Sequence, residues 1–250
     1  IRFELIINEK VPDSFNNTQI LIFSDIYYNS FMDKERFEKI VDTINQSQPD
    51  IVIFLGDLFN NPTINPPTNQ IQEELMMLLN EIDAPLGKFA IYGDQDLQSQ
   101  TTKQIFDSIM TQANFEILSN TNLMLTNHDN LGIRLIALNN IINGNFDIDQ
   151  AYENTDNKTY TLAICHTPDI IDYLKNNVAD LFISGHSLGG QIYIPFYGSL
   201  VKMDGALNYS RGKQKVANTI LDITNGLGTT KYDLRLFTDP EIVIYEFSNQ

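Results

Sequence analysis

Five short apolar runs in this chain end the same way, on an aspartate or a histidine. The plainest is Ile51-Val-Ile-Phe-Leu-Gly-Asp57. Its unbroken β-branched and aromatic residues read as a strand buried on both faces, and glycine lets the backbone turn where the run stops. The others are Ile20-Leu-Ile-Phe-Ser-Asp25, Lys88-Phe-Ala-Ile-Tyr-Gly-Asp94, Thr161-Leu-Ala-Ile-Cys-His166 and Leu181-Phe-Ile-Ser-Gly-His186. Ligands of open α/β sheets bind outside the carboxyl ends of the strands, so the spacing predicts three Asp and two His on one rim of one sheet. Such a set is an inventory of metal donors.

With 250 residues, 42% of them hydrophobic, the chain can bury a sizeable core and is short enough for a single α/β domain over residues 1–250. The net charge of −16, with no basic block in the sequence, excludes a surface that tracks nucleic-acid phosphates. An anionic substrate therefore needs a cation in the site. The single cysteine, Cys165, excludes an internal disulfide, and its place inside an apolar strand makes it a small buried hydrophobe rather than a nucleophile. No window has the roughly 18 apolar residues of a membrane span. The chain opens on Ile1 without a methionine, so a leader or anchor is expected upstream.

Residues 1–11 alternate as an antiparallel or edge strand. Phe37, Ile40, Val41 and Ile44 fall at helical spacing, with Asp33 as cap, and bridge strands 20–25 and 51–57 in a right-handed βαβ unit. That unit puts Asp25 and Asp57 at the same end of adjacent parallel strands. Residues 60–69 are a loop; a helix over 70–82 carries Leu75, Met76, Leu78 and Leu79, and another spans 101–112. Residues 121–125 and 131–138 flank a turn-rich tetrad and form a hairpin, which makes His128 a solvated turn residue. A short helix is expected near 146–152, and one carrying Ile170, Ile171, Tyr173 and Leu174 before the strand that ends at His186. Runs 191–195, 219–223 and 241–247 have no long helices between them and read as antiparallel additions in a second sheet.

These strand-end motifs, in this order, resemble the calcineurin-like metallophosphoesterase family. That family shows Asp-x-His, Gly-Asp-x-x-Asp, Gly-Asn-His-Asp/Glu, a lone His after a strand and Gly-His-x-His. The corresponding stretches here are Asp25-Ile-Tyr27, Gly56-Asp57-Leu-Phe-Asn60, Gly93-Asp94-Gln95-Asp96, His166-Thr-Pro-Asp169 and Gly185-His186-Ser-Leu188-Gly-Gly-Gln191. The last two motifs, with Gly226-Leu-Gly228, Arg235 and Pro240-Glu241, are similar to bacterial phosphoesterases tethered to or exported across the cytoplasmic membrane. The match runs from about residue 20 to 247 and implies a four-layer αββα sandwich of two mixed sheets.

Carried over residue by residue, the resemblance implies a two-metal site that is split unevenly. One position uses Asp57, Asp94 in place of the usual Asn, His166 and His186. The other uses Asp25 and shared Asp57, but its two histidines are Tyr27 and Leu188. Gln95 stands at the catalytic histidine, and Asn60 at an acid that supports the site from behind; Tyr27 and Gln95 are the substrate-contact candidates. Leucine has no donor atom and a phenol is a poor ligand near neutral pH, which argues against a second ion. Glutamine cannot donate a proton to a leaving group, a loss of about 10²–10⁴ in rate where that step matters. Conversely, two carboxylates about 4 Å apart repel by roughly 4 kcal/mol at an effective dielectric of about 20, and a cation or a proton relieves this.

The expected function is a metallophosphoesterase-like protein with a degenerate site, weak or inactive, acting as a binding or scaffold domain at the cell envelope. The alternative is a working phosphoester hydrolase with a single Mn, Zn or Fe ion. By family analogy the partners are a cell-envelope protein or a lipid-linked phosphate, with no nucleic acid. The expected location is membrane-anchored with the domain outside the cytoplasm, the alternative being cytoplasmic.

Overall fold

The apolar runs become strands because both of their faces find apolar neighbours. A computed structural model describes residues 1–174 and 179–250. Its elements in chain order are β1 (Arg2–Ile7), β2 (Gln19–Phe23), α1 (Lys34–Gln46), β3 (Ile51–Phe54), α2 (Asn69–Asn80), β4 (Gly87–Ala90), α3 (Gln100–Gln112), β5 (Glu116–Ile117) and β6 (Thr121–Thr126). They continue with β7 (Gly132–Leu138), α4 (Ile148–Ala151), β8 (Thr161–Cys165), β9 (Leu181–Ser184), β10 (Tyr193–Ile194), β11 (Gly198–Ser199), β12 (Gly212–Val216), β13 (Thr219–Ile223) and β14 (Val243–Ser248).

Two mixed six-stranded sheets result, in the orders β1-β14-β2-β3-β4-β5 and β12-β13-β9-β8-β7-β6, with β10 and β11 as a separate ribbon. Ile20, Ile22, Ile51 and Ile53 of the first sheet face Leu135, Leu162, Ile164 and Ile183 of the second across the central core. The alternate residues Leu21, Phe23, Val52 and Phe54 face outward onto α1, α2 and α3. A truncation such as Phe54→Ala at that interface is expected to cost about 3–5 kcal/mol. The three helices start on side-chain caps: Asp33 accepts from the Arg36 amide, Thr68 from that of Ile71, and Ser99 forms a reciprocal box with Thr102. The fourth layer is thin. Four-residue α4 and a 3₁₀ turn over Pro168–Tyr173 cover Ile136, Ala163 and Phe182, so the helix expected after His166 is a 3₁₀ turn as far as Leu174. Residues 175–178, where it would continue, lie outside the described residues.

The final third departs from the sequence expectation. β13 runs parallel to β9, because the long excursion through residues 185–218 supplies the crossover that parallel strands require. β14 lies in the first sheet, antiparallel to β2 and parallel to β1. Its Val243, Tyr245 and Phe247 face the central core and its Ile244 the helices, a two-sided burial available between β1 and β2. β1 is an edge strand, leaving Phe3, Leu5 and Ile7 exposed. His128 is exposed in the β6–β7 turn. Among the described residues no helix is long and apolar enough to cross a membrane.

Candidate metal centre

The five strand-end residues converge, but from two sheets rather than one rim of one sheet. Asp25, Asp57 and Asp94 follow β2, β3 and β4, while His166 and His186 follow β8 and β9 of the facing sheet. The sheets stack face to face, and their carboxyl edges open side by side. Asp25, Tyr27, Asp57, His186 and Leu188 all take positive φ, between 49° and 67°, a left-handed turn that side chains other than Gly and Asn rarely adopt. Glycine is required where β3 and β4 end: a Cβ on Gly93 would meet Asp57 Oδ1 at 1.9 Å, and one on Gly56 (φ 100°) would meet Gly93 N at 2.1 Å.

Asp57, Asp94, His166 and His186, all buried, each offer one ligand atom, and these atoms lie within 4.8 Å of one another. The histidine protons are turned away from this cluster. His166 Nδ1 sits 2.7 Å from Leu55 O and His186 Nε2 2.7 Å from Asp204 O; each nitrogen must donate to its carbonyl, which leaves the other with a lone pair. Those lone pairs belong to His166 Nε2 and His186 Nδ1, 3.2 Å apart, with Asp94 Oδ1 3.4 and 3.0 Å away and Asp57 Oδ2 3.3 Å from His166 Nε2. While both imidazoles are neutral, buried Asp94 Oδ1 has no hydrogen-bond donor among the described residues. Four acceptors thus face one point.

The electrostatics report the same demand for positive charge. Burial by itself would lower the His166 and His186 pKa values, but the charges and hydrogen bonds of Asp57 and Asp94 outweigh it and both imidazoles are raised. Asp94, which burial would raise, is held well below the usual carboxylate range by the two histidines. Asp57 is raised by burial and by the Asp94 charge. A divalent cation fits this donor set of two imidazoles and two carboxylates, and it would satisfy the orphaned Asp94 oxygen.

The other half of the site is filled by protein. The Tyr27 hydroxyl lies 3.0 Å from Asp57 Oδ2 and 3.2 Å from Asp25 Oδ1, so one phenolic proton bridges two buried carboxylates. Burial and the charges of Asp57 and Asp25 raise the Tyr27 pKa well above 10, which keeps that proton in place. Asp25 Oδ2 accepts from the His186 amide at 3.0 Å, and its Oδ1 is 4.0 Å from His166 Nε2, outside the four-donor cluster. Leu188 is fully buried and presents no donor.

Tyr27, Asn60, Asp94, Gln95 and His186 open onto a cavity of about 490 Å³, which Ile142, Ile192, Val201, Met203 and Tyr232 also wall. Gln95 is already engaged: Nε2 donates to Asp94 Oδ2 at 2.7 Å, and Oε1 accepts from the Asn61 amide and from Gln98. Asn60 lies on the cavity wall and accepts from Asn61, so it does not support the site from behind. Asp96 does: it accepts from the Asp57, Leu58 and Gly93 amides. Burial and the Asp57 charge push its carboxyl up to about 7 against those three donors.

Two further anchors were visible as motif residues without a visible task. Asp169 accepts from the Leu207, Asn208 and Tyr209 amides and donates its own amide to Gly205 O, fixing the loop whose Asp204 carbonyl orients His186. Gln191 Nε2 lies 3.1 Å from the carbonyls of Thr230, Tyr232 and Leu234, and its Oε1 accepts from Thr230. Arg235 is turned inward onto the carbonyls of Leu188, Asn225, Gly226, Gly228 and Thr238.

Comparison with known proteins places this geometry. The description of the calcineurin-like phosphoesterases matches residues 18–190. The chain is 30% identical over 235 residues to the uncharacterized metallophosphoesterase YkuE of Bacillus subtilis (strain 168), covering 94% of this chain and 80% of that protein. It is 24% identical over 288 residues to the UDP-2,3-diacylglucosamine pyrophosphatase LpxG of Chlamydia muridarum, covering 94% of this chain and 86% of that one. Among solved structures, TT1561 of Thermus thermophilus superposes with a TM-score of 0.50 at 10% identity over 84% of this chain and 90% of that one, a likeness of fold alone.

Proposed function

The chain belongs to the calcineurin-like phosphoesterase family, and on that premise we propose that it is a one-cation member in which hydrolysis is weak or lost and the domain serves binding at the cell envelope. The observation that carries this reading is the Tyr27 hydroxyl between Asp25 and Asp57, a hydrogen-bond donor to both carboxylates on the side where a second ion would need ligands. Asp57, Asp94, His166 and His186 would hold one ion, Mn, Zn or Fe; when bound, it would polarise a phosphoryl oxygen. Tyr27 and Gln95 face the ligand, and Gln95, tied to Asp94, has no proton to give a leaving group.

The second reading is a working one-cation hydrolase. It is favoured by the cavity, which reaches Asp94 and His186 directly and would admit a phosphoester. In either case the apolar walls Ile142, Ile192, Val201 and Met203 support a lipid-linked phosphate as the ligand class, in line with the diacylated substrate in the name of LpxG. A cell-envelope protein partner and a domain outside the cytoplasm complete the proposal. The test is hydrolysis of bis(p-nitrophenyl) phosphate with Mn, comparing the native chain with the combined Tyr27→His, Gln95→His and Leu188→His variant. The native chain should stay near background and the variant should gain about 10²-fold or more. Native turnover that His186→Ala abolishes and the combined variant fails to raise would establish the hydrolase reading instead.

A further inference from the structure

The loops that wall the cavity carry a second feature on their outer side. The β10–β11 hairpin exposes Ile194, Phe196, Tyr197 and, just after it, Leu200; the neighbouring segment exposes Tyr232, Leu234, Leu236 and Phe237. Backbone bonds join the two: Tyr193 N donates to Leu236 O, Leu236 N to Gln191 O, and Gln191 holds residues 230–234. Leu234 and Leu236 point outward because the intervening Arg235 points in. Phe196 is fully exposed, Tyr197 is 78% exposed and Tyr232 71%. An apolar patch of this density is not needed for folding.

Phe196 and Phe237 also stand at φ 70° and 55°, where a bulky side chain is strained and glycine is not. Among the described residues, neither of these strained phenylalanines is buried against the rest of the chain.

Charge distinguishes what such a surface meets. Residues 192–237 hold six Lys and Arg against three Asp in a chain of net −16; Arg235 is turned inward and Lys213 pairs with Glu4, which leaves Lys202, Arg211, Lys215 and Lys231 exposed. Lys202 and Lys231 flank the cavity mouth, and Arg211 lies 4.3 Å over the Tyr193 ring at the hairpin base. Exposed aromatic side chains beside Lys202, Lys231 and Arg211 suit a lipid–water interface with anionic headgroups: the rings enter the acyl boundary and the cations stay among the phosphates.

We infer that the lobe formed by the β10–β11 hairpin and residues 230–237 docks this domain onto an anionic membrane surface, with the cavity mouth facing the lipid headgroups. The inference rests on the lobe's surface and holds whether or not the metal centre hydrolyses anything. The experiment is flotation of the native chain with phosphatidylcholine vesicles, with and without phosphatidylglycerol. Binding to the anionic vesicles alone, weakened by salt, is expected. Phe196→Gly with Phe237→Gly should lower partitioning by about tenfold or more while leaving the melting temperature unchanged or higher, since glycine relieves both backbones. Lys202→Glu with Lys231→Glu should cost about fivefold per charge. Phe3→Ser with Leu5→Ser, on the exposed face of β1, should change nothing. Equal binding to neutral vesicles, no binding at all, or loss of binding in the β1 variant but not the glycine variant would overturn the inference. So would self-association that the glycine variant abolishes without any vesicle binding, which would assign the lobe to a second copy of the chain.

Discussion

On one side of Asp57, four acceptor atoms face one point with the histidine protons turned away onto Leu55 and Asp204; on the other side, the same carboxylate meets a tyrosine hydroxyl and the bare side chain of Leu188. Both halves bury negative charge, and both include left-handed residues just past strand ends: Asp57 and His186 in one, Asp25, Tyr27 and Leu188 in the other. They differ in how that charge is answered. The Asp25 half is complete in itself, because a phenolic proton bridges its two carboxylates. The Asp94 half leaves a buried carboxylate oxygen with no donor, and only a cation or extra protons on the imidazoles can satisfy it. Binding capacity therefore resides where hydrogen bonding has been left incomplete.

The largest effect is expected at His186. His186→Ala removes one of four donors, and Mn affinity measured by calorimetry should fall at least about 100-fold, beyond the 10–100-fold typical for a mere outer partner. The thermal stabilisation that Mn gives the native chain, about 2.7 kcal/mol at a hundredfold excess over Kd, should vanish with it. Next in size is Tyr27→Phe. It strips the shared proton from two buried carboxylates, and chemical denaturation without metal should show a loss of about 1–3 kcal/mol. Added Mn should narrow that deficit, because positive charge near Asp57 then substitutes for the lost donor. A smaller effect is expected from Gln191→Ala, outside both halves: about 1–2 kcal/mol from the unmet carbonyls of residues 230–234, with metal stoichiometry unchanged.

The smallest effect sharpens the border of the site. Cys165 precedes His166 by one residue, and the alternation of β8 turns its thiol away, towards Asn139 O. Burial pushes the thiol up to about 11. A folded pKa above the unfolded value means the native state keeps its proton longer, so this group costs no stability at neutral pH and some only as pH rises past about 9. Iodoacetamide at pH 8 should leave Cys165 unlabelled in the native chain and label it fully in denaturant.

The donors were legible because each closes an apolar strand, a local signal that alternation and length make plain. Their assignment to one sheet was not, since the pairing of β8 and β9 with β7 and β13 is a long-range fact that no local run encodes. Tyr27 could be seen to replace a histidine, but its bridging role depends on how closely β2 and β3 bring Asp25 to Asp57. Asp169 and Gln191 stand in the motifs, yet the partners of their side chains lie 38 to 43 positions away in loops with no signature. β12 carries no local signal because Gly212-Lys-Gln-Lys-Val216 is a polar edge strand, and β11 because a strand of two residues leaves no pattern; the run 191–195 does contain a strand, β10, but it pairs with β11 in a separate ribbon rather than in the second sheet.

The difference between the two halves is read out by metal stoichiometry: elemental analysis after equilibration with Mn and with Zn and removal of free ion, on the native chain and on the variant combining Tyr27→His with Leu188→His. One ion per native chain and a rise towards two in the variant are expected. Two ions in the native chain, or none, would contradict that difference.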